Sequence, residues 1–520
     1  MTDQRDRAEP RTARDVTDGE VGRSVRWTYG MTAASLLIQF ATTAVLARQL
    51  TAADYGTVAV AAGALRFLQY LTDLGLASVV IQKSDFRTDS EAPLLFAFGL
   101  AVHGAFAAML WLASPLFLLA IPQLAGEGLD ILRALAVVGV VGAAGQIARA
   151  LLTRRLDFRR LGLTTVAGLV VGQGLVAIPL AFAGFGAWSL VAGLAAQSAT
   201  STALALYAAP HPLLPRRAGW ARWRELAFLG GGFSILRILD SAGMHLLPVI
   251  VGALAGMAAV GQWDRAWVLS LLPIETLATG IGRVLFPAFS RLSGDPARVL
   301  RAWLSALMLV ACLLGSVGAG LAVAAPQIVS VVLGADWRGT ETLVAMLALW
   351  AVLRGLAQVT GNLCEGSGRL LLRGLHQTAY LAALAGAVAL LRPQDGAGIA
   401  AILLAVEVAS QTVLIGLAAR IAGVSPAVPL RQTAIGLSVA PCVAAACAGA
   451  LMAVRPIGLG PAVELTAAIA ACAMALALSV AIHPSATLRA AIGHRVLGQA
   501  LGISGTGDGL LSRLRRRIER

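Results

Sequence analysis

Stretches of about 20 or more apolar residues recur along almost the whole chain, separated by short polar connections. A stretch of this length can cross the hydrocarbon of a bilayer as a helix. Inside the bilayer a lone segment must satisfy its own backbone N–H and C=O groups, which favours helices. The pattern therefore predicts an all-α polytopic membrane protein with about 14 transmembrane helices. The predicted spans, numbered 1 to 14, are 28–48, 55–81, 92–121, 129–151, 160–183, 187–208, 226–252, 257–286, 299–323, 340–363, 371–391, 396–419, 432–454 and 460–482.

Composition and charge agree with a membrane location. The 520 residues are 58% apolar and only 13% charged, whereas soluble domains are nearer a quarter charged. The net charge of +14 lies in short connections and tails, so it indicates topology and not a nucleic-acid partner. With a cytoplasmic N-terminus, the inner connections hold 17 Lys or Arg residues and the outer ones only four. This bias predicts that both termini are cytoplasmic, in a bacterial inner membrane.

The termini and cysteines exclude other classes of protein. The segment 1–27 mixes Arg with acidic residues before any apolar run, which predicts a retained cytoplasmic tail and not a cleaved signal peptide. The five cysteines lie in or beside apolar spans without CxxC spacing, so we expect no disulfide framework, metal site or cofactor. The outer connections are short, which leaves no extramembrane domain for an enzyme active site.

A faint internal repeat predicts the domain organisation. At an offset of 205 residues Gly56 falls on Gly261, Gly75 on Gly280 and Val79 on Val284. The offset covers an even number of spans, so it predicts two parallel lobes of six helices each. The predicted divisions are a lobe at 28–208, a cytoplasmic linker at 209–225, a second lobe at 226–420, a C-terminal hairpin at 431–482 and a basic cytoplasmic tail at 483–520.

Several arginines lie inside the predicted spans, where a guanidinium stays charged at any ordinary pH. Such a group costs roughly 3 kcal/mol or more at the bilayer centre, so we expect these arginines to face water and an anion. The pattern predicts a carrier of an anionic cargo. The intramembrane arginines are Arg66, Arg133, Arg149, Arg237, Arg265, Arg283 and Arg354.

Four passages resemble the Wzx-like oligosaccharide flippases of the multidrug/oligosaccharidyl-lipid/polysaccharide exporter superfamily. They are LARQLTAADYGTVAV with LTDLGLASVVIQKSD (46–60 and 71–85), LLTRRLDFRRLG (151–162), AAVGQWDRAWVLSLLP (258–273) and VLFPAFSRL (284–292). The resemblance implies two lobes around a cleft that opens alternately to either side, with spans 1, 2, 7 and 8 along it. The implied cargo is an undecaprenyl-diphosphate-linked oligosaccharide. One departure is Gln262-Trp263, where the family often has a tyrosine.

The candidate cargo-binding residues are cationic or aromatic. Arg66 lies near the middle of span 2, and Asp73, seven residues later, shares its helix face, so a buried ion pair is the alternative. Arg237 has a similar alternative partner in Asp240. The other candidates are Arg265 and Trp267 in span 8 and Arg354 in span 10. We assign Arg133 and Arg149, near opposite ends of span 4, to the membrane interfaces.

The candidate ion-coupling residues are carboxylates within the spans. Asp264 and Glu275 are eleven residues apart and share one stripe of span 8. A carboxylate beside a cation at this depth could exchange a proton or Na⁺, and pairing with an arginine is the alternative. Asp240 in span 7 and Glu407 in span 12 are the other candidates, and Glu407 and Arg354 could equally form a structural pair.

The sequence predicts a non-enzymatic flippase for exopolysaccharide, capsule or O-antigen export. One alternative is a multidrug or cation antiporter of the same superfamily, and another is a polytopic polysaccharide polymerase or glycosyltransferase. The expected partners are the lipid-linked oligosaccharide and membrane lipids, with a polysaccharide polymerase and export machinery as candidates and no nucleic acid. The sugar, the coupling ion and the oligomeric state are left open.

Overall fold

The computed structural model describes residues 18–73, 76–83, 85–213, 243–244, 247–292 and 295–482. Every regular element in those ranges is helical. Spans 1 to 6 contain the helices Asp18–Leu46, Ala52–Asp73 with Leu76–Gln82, Thr88–Ala113, Glu127–Ala144 with Gln146–Arg154, Phe158–Leu169 with Ile178–Phe182, and Ala187–Ala208. The predicted all-α class is confirmed.

The later spans follow the same pattern. Helix Leu247–Leu292 joins the end of span 7 to span 8, and its backbone leaves helical geometry at Gly256, where φ is 84°. The helices of spans 9 to 12 are Pro296–Val323, Glu341–Gly366, Leu370–Leu391 and Gly396–Ile421. Span 13 consists of Ala427–Leu437 and Ala440–Val454, and span 14 is Pro461–Ile482. Between spans 9 and 10 lies a short helix, Ala325–Val332.

Ten helices in the described ranges are long and apolar enough to cross a membrane. They correspond to predicted spans 3 to 6 and 9 to 14. Span 1 contributes a shorter apolar helix, Gly30–Leu46, and most of span 7 lies outside the described residues. The polytopic membrane fold is therefore confirmed, and the count of 14 stays a prediction.

The chain packs as two compact units. The first contains the described chain up to Leu272 together with Ala325–Leu347 and Leu371–Val406. The second contains Pro273–Ala324, Ala348–Leu370 and the described chain from Glu407. Their boundaries divide spans 8, 10 and 12, so they are packing units and differ from the two lobes expected from the repeat. The lobe boundaries stay a prediction.

Span 5 packs closely on span 6 in the first unit. Residues Val170–Ala177 form a π-helix, followed by Pro179, which has no N–H to continue the regular bonding pattern. A β-carbon on Gly172 would lie 2.4 Å from the carbonyl oxygen of Gly193, so only glycine allows this approach. Close contact between small residues is a principal source of stability for helix pairs in lipid.

We therefore expect Gly172→Ala to destabilise the protein by about 1–3 kcal/mol, because the added methyl group overlaps the backbone of span 6. Gly174→Ala is the matched control, since no atom lies within 4 Å of the β-carbon position there. The measurement is the thermal unfolding midpoint of the purified protein in detergent. Equal midpoints for the two variants would contradict this packing.

Small residues also join span 13 to span 9 in the second unit. A β-carbon on Gly436 would lie 2.2 Å from the carbonyl oxygen of Met308. Met308, Cys312, Val439 and Val443 form a buried cluster at this junction. Span 13 breaks after Leu437 because Pro441 has no N–H to donate to the Leu437 carbonyl. Helices Ala440–Val454 and Pro461–Ile482 then pack together, which confirms the predicted C-terminal hairpin.

Candidate functional site

A cavity of about 690 Å³ lies inside the first unit, among the helices of spans 2 to 6. Leu65 of span 2, Leu135 of span 4 and Leu194 of span 6 supply parts of its apolar wall. Gly139, Gly142 and Ala143 form one small-residue face, which leaves space that larger side chains would fill. The polar residues that line this cavity make it the candidate functional site.

Two guanidinium groups line the cavity. Arg66 is exposed, and it forms no hydrogen bond or ion pair within the part of the chain that the structure describes. Arg149 is half-buried, and its Nη2 donates to the Gly142 carbonyl oxygen at 2.7 Å. None of the residues that line the cavity is Asp or Glu. The cavity is therefore cationic, and none of its described lining residues supplies a carboxylate to balance that charge.

A row of amides and hydroxyls completes the cavity. Leu194, Gln197, Ser198 and Ser201 recur at intervals of three or four residues, so they share one face of span 6. The Ser198 hydroxyl donates to the Val138 carbonyl oxygen at 3.3 Å, and Gln173 Nε2 donates to Gln197 Oε1 at 3.3 Å. These side chains are neutral and can both donate and accept hydrogen bonds. They can therefore bind a ligand that is rich in hydroxyl groups.

Three further polar residues line the same cavity: His103, Gln146 and Thr165. His103 is buried, and its Nδ1 lies 2.8 Å from the Gly99 carbonyl oxygen. One turn of helix separates the two residues, so this bond is local to span 3. His103 thus adds a polar ring to the cavity wall and no negative charge.

Two of the predicted span 8 residues, Asp264 and Arg265, bind each other. Arg265 donates to the Asp264 carboxylate, and its guanidinium lies 4.2 Å from the ring centroid of Tyr55 in span 2. The Arg265 side chain is 15% exposed. Arg265 is therefore engaged with protein groups, in contrast to Arg66. Trp267, about one turn after Asp264, is half-buried.

A second polar cluster contains three of the predicted residues, and all of it lies in the second unit. The Trp350 indole N–H donates to Glu407 Oε2 at 3.2 Å, and the Arg354 guanidinium lies 5.7 Å from the Trp350 ring centroid. Arg354 also acts electrostatically on Glu275. Glu407 is 2% exposed. The structure thus brings together two of the predicted ion-coupling carboxylates and one predicted arginine.

The remaining candidates are separate from both sites or outside the described residues. Arg237 and Asp240 lie outside the described ranges, as does the side chain of Asp73, the alternative partner of Arg66. The side chain of Arg283 is also outside them. Arg133 pairs with Asp130 at 3.3 Å and lies 5.0 Å from the Trp111 ring centroid, and its interfacial position stays a prediction.

Among the polar residues that line the cavity, sequence reasoning identified only Arg66 as a candidate site residue. It assigned Arg149 to a membrane interface, whereas the structure places that residue on the cavity wall. It also passed over Gln197, Ser198 and Ser201, although their spacing is visible in the sequence. A search for polar residues repeated at helical spacing within span 6 would have found them.

The helical fold and the cationic cavity define a polytopic membrane protein with a cationic site among its helices. The lipid II flippase MurJ in an inward closed conformation matches 87% of this chain and 98% of its own, with a TM-score of 0.67 and 11% identity. An inward-facing multidrug resistance MATE transporter of the MOP superfamily matches 76% of this chain and 94% of its own, with a TM-score of 0.55 and 15% identity. At these identities the similarity establishes the fold.

The chain belongs to the polysaccharide biosynthesis protein family, whose model matches residues 45–342. It is 27% identical over 335 residues to the succinoglycan biosynthesis transport protein ExoT of Rhizobium meliloti (strain 1021). It is 23% identical over 333 residues to the lipopolysaccharide biosynthesis protein WzxC of Escherichia coli (strain K12). Each match covers 63% of this chain and 66% of the relative. The resemblance to the Wzx-like exporters is thereby confirmed.

Proposed function

We propose that the protein is an inner-membrane flippase that moves a polyprenyl-diphosphate-linked oligosaccharide to the outer leaflet for exopolysaccharide, capsule or O-antigen export. The names of its relatives support this proposal: one is a succinoglycan transport protein, and others serve lipopolysaccharide and teichuronic acid biosynthesis. A structural neighbour is a lipid II flippase. Transport proceeds by alternating access, and the cargo is not chemically converted.

The observation that carries the proposal is a cavity whose described lining residues include two guanidiniums and no carboxylate. A diphosphate crosses about 30 Å of hydrocarbon only if its charge is compensated on the way. Guanidinium groups bind phosphate oxygens through paired, charge-assisted hydrogen bonds. Arg66 and Arg149 therefore bind the diphosphate in the proposed mechanism, while the polyprenyl tail stays in lipid.

The neutral polar row on span 6 binds the sugar. Gln197, Ser198 and Ser201 offer both donors and acceptors, which match the hydroxyl groups of an oligosaccharide. Arg237, Trp267 and Arg354 stay predicted cargo contacts. A polysaccharide polymerase is the proposed recipient of the flipped cargo.

The charge of the cavity lining favours the proposed function over its two alternatives, a cation antiporter and a polymerase or glycosyltransferase. A carrier of cationic drugs needs carboxylates on its cavity walls, and this cavity has none among its lining residues. A polymerase or glycosyltransferase needs catalytic groups at a surface where two sugar chains meet. A cationic cavity among five spans favours binding and release over such chemistry.

The test is reconstitution of the purified protein in liposomes that contain a fluorescent undecaprenyl-diphosphate oligosaccharide. Flipping is measured as the fraction of cargo that becomes accessible to an external glycosidase. We expect accessibility to rise with the protein and not with empty liposomes. A cationic drug such as ethidium tests the antiporter alternative: ethidium uptake without oligosaccharide flipping would overturn the proposal.

Topology gives an independent prediction. Both termini are proposed to be cytoplasmic, so a reporter fused at Leu156 should read cytoplasmic and reporters at Gly126 and Gly396 should read external. Leu156 belongs to the connection between spans 4 and 5, where Asp157 accepts a hydrogen bond from the Arg160 backbone N–H at 3.0 Å and begins the next helix. Inverted readings at one adjacent pair would show a missed or invented span.

A further inference from the structure

Span 4 is interrupted where it lines the cavity. Its two helices, Glu127–Ala144 and Gln146–Arg154, are separated by Gly145. The Gly145 N–H donates to the Gly142 carbonyl oxygen at 3.2 Å, three residues back, whereas the bond of a regular α-helix spans four. Gly142 and Gln146, on either side of the break, both line the cavity. The interruption therefore lies at the cavity wall.

The Arg149 side chain extends back across this break. Its Nη2 donates to the carbonyl oxygen of Gly142, seven residues earlier, at 2.7 Å. This direction is the usual one, since side chains on a helix point towards its N-terminus. The Gly142 carbonyl belongs to the last turn of helix Glu127–Ala144, where carbonyls lack the N–H partners of a continuous helix. The break thus supplies an acceptor that holds the guanidinium at the cavity wall.

Gly145 leaves the space that this arrangement needs. A β-carbon on Gly145 would overlap Nη1 of Arg149, and it would lie 2.8 Å from Oγ1 of Thr202 in span 6. The backbone conformation does not itself require glycine, because φ at Gly145 is −88°, which other residues adopt without strain. What position 145 contributes is therefore the absence of a side chain.

Span 6 fixes the break from the other side. The Thr202 hydroxyl donates to the Val141 carbonyl oxygen at 3.0 Å, and the Ser198 hydroxyl, one turn earlier, donates to the Val138 carbonyl oxygen at 3.3 Å. Val141 lies four residues before Gly145, so its carbonyl is the one that the Gly145 N–H would use in a regular helix. The two hydroxyls therefore stabilise the helix end on which the guanidinium is held.

The held guanidinium still has donors to offer a ligand. The bond to Gly142 uses one N–H of Arg149, and the structure gives that side chain no other hydrogen bond or ion pair among the residues it describes. A long side chain loses conformational entropy when a ligand immobilises it. A side chain that is already held loses less, which strengthens binding. Arg149 is therefore preorganised in the cargo-free protein.

We propose that Gly145 is a positioning residue, which interrupts span 4 so that the Arg149 guanidinium is held at the cavity wall to bind the diphosphate. The proposal rests on the proposed flippase function. Gly145 does not contact the cargo and acts through Arg149. Arg66, which has no such bond among the described residues, is the guanidinium that adjusts to the cargo.

The first test measures ligand binding by the purified protein in detergent. The probe is farnesyl diphosphate, a short and soluble polyprenyl diphosphate, and its dissociation constant is measured by calorimetry. We expect Gly145→Ala to weaken binding on the order of tenfold, because the methyl group displaces the guanidinium and its preorganisation is lost. We expect Arg149→Ala and the double variant Gly145→Ala/Arg149→Ala to bind equally weakly, because Gly145 has no effect once Arg149 is absent.

This comparison separates positioning from general packing. The overlap with Thr202 is the same in both backgrounds, so the double-mutant cycle removes it. Gly104→Ala is the control, since Gly104 lies in span 3 of the same unit with no atom within 4 Å of its β-carbon position. Native affinity in Gly145→Ala, or an equal further loss when Gly145→Ala is added to Arg149→Ala, would overturn the proposal. Native affinity in Arg149→Ala, or no binding by the native protein, would instead refute the proposed diphosphate site.

The second test needs no ligand and decides the positioning in that case as well. Thermal unfolding midpoints are measured for the native protein, the two single variants and the double variant. We expect Gly145→Ala to lower the midpoint more in the native background than in the Arg149→Ala background, because only the native background contains the overlapping guanidinium. Equal shifts would show that Gly145 serves helix packing alone, and the proposal would fail. Adding Thr202→Ala to all four proteins covers the case in which Gly145→Ala does not fold, since it removes the overlapping hydroxyl of span 6.

Discussion

Replacing Arg66 with alanine is expected to abolish glycan export while the protein level in the membrane stays near normal. Arg66 has no hydrogen-bond or ion-pair partner within the described residues, so its removal breaks no hydrogen bond or ion pair among them. It does remove one of two guanidiniums that face the cavity. Losing one partner of a buried charge pair costs about 2–5 kcal/mol. Surface glycan in a deletion strain that expresses each variant is the measurement.

Arg149→Ala is expected to abolish export as well, because it removes the other guanidinium of the cavity, and it also removes the hydrogen bond to the Gly142 carbonyl oxygen. Arg66→Lys separates charge from geometry, since lysine keeps the charge and loses the paired hydrogen bonds of the guanidinium. We expect this variant to retain part of the export. Arg133→Gln is the control, because Arg133 is a membrane arginine that pairs with Asp130 away from the cavity. Normal export from both alanine variants would refute the anion-carrier mechanism, and their loss from the membrane would indicate a structural role.

The second large effect on export is expected from replacing two carboxylates of the second unit, Glu275 and Glu407. Glu275 interacts electrostatically with Arg354. Glu407 accepts a hydrogen bond from the Trp350 indole, and the Arg354 guanidinium lies over the ring of the same Trp350. A proton or cation that binds among these groups weakens the electrostatic attraction between Arg354 and the two carboxylates. We propose that cation exchange at this cluster drives the change of access. Glu275→Gln and Glu407→Gln keep the shape and remove the charge.

We expect each glutamine variant to bind cargo normally and to export it on the order of tenfold more slowly, which is about 1.4 kcal/mol in activation free energy. Export by the variants should also respond less to an uncoupler than export by the native protein. Glu127→Gln is the control, since Glu127 is exposed in the first turn of its helix. Native rates with native uncoupler sensitivity would assign both acids a structural role.

The RRLDFRR passage shows which contacts can be predicted from local sequence and which cannot. The basic loop at 154–160 predicts a cytoplasmic connection, because loop charge is read as topology. The structure adds that Arg154 Nη1 donates to the carbonyl oxygens of Val80 at 2.7 Å and Lys83 at 2.6 Å. Those acceptors lie at the end of span 2. Sequence spacing does not predict these hydrogen bonds, because the donor and its acceptors are more than 70 positions apart.

Hydropathy and helix propensity act within one turn or one span, so the sequence by itself determined the all-helical membrane class, most span positions and the C-terminal hairpin. It did not determine which helix faces meet, since that depends on packing between segments far apart in the chain.

Tertiary structure alone decided the roles of individual charges. Arg149 lines the cavity because span 4 turns that face towards spans 2 and 6. Arg265 is held by Asp264 and Tyr55 because span 8 crosses span 2 at two glycines. An intramembrane arginine carries the same charge wherever it lies, and only its neighbours decide whether that charge is available to a ligand.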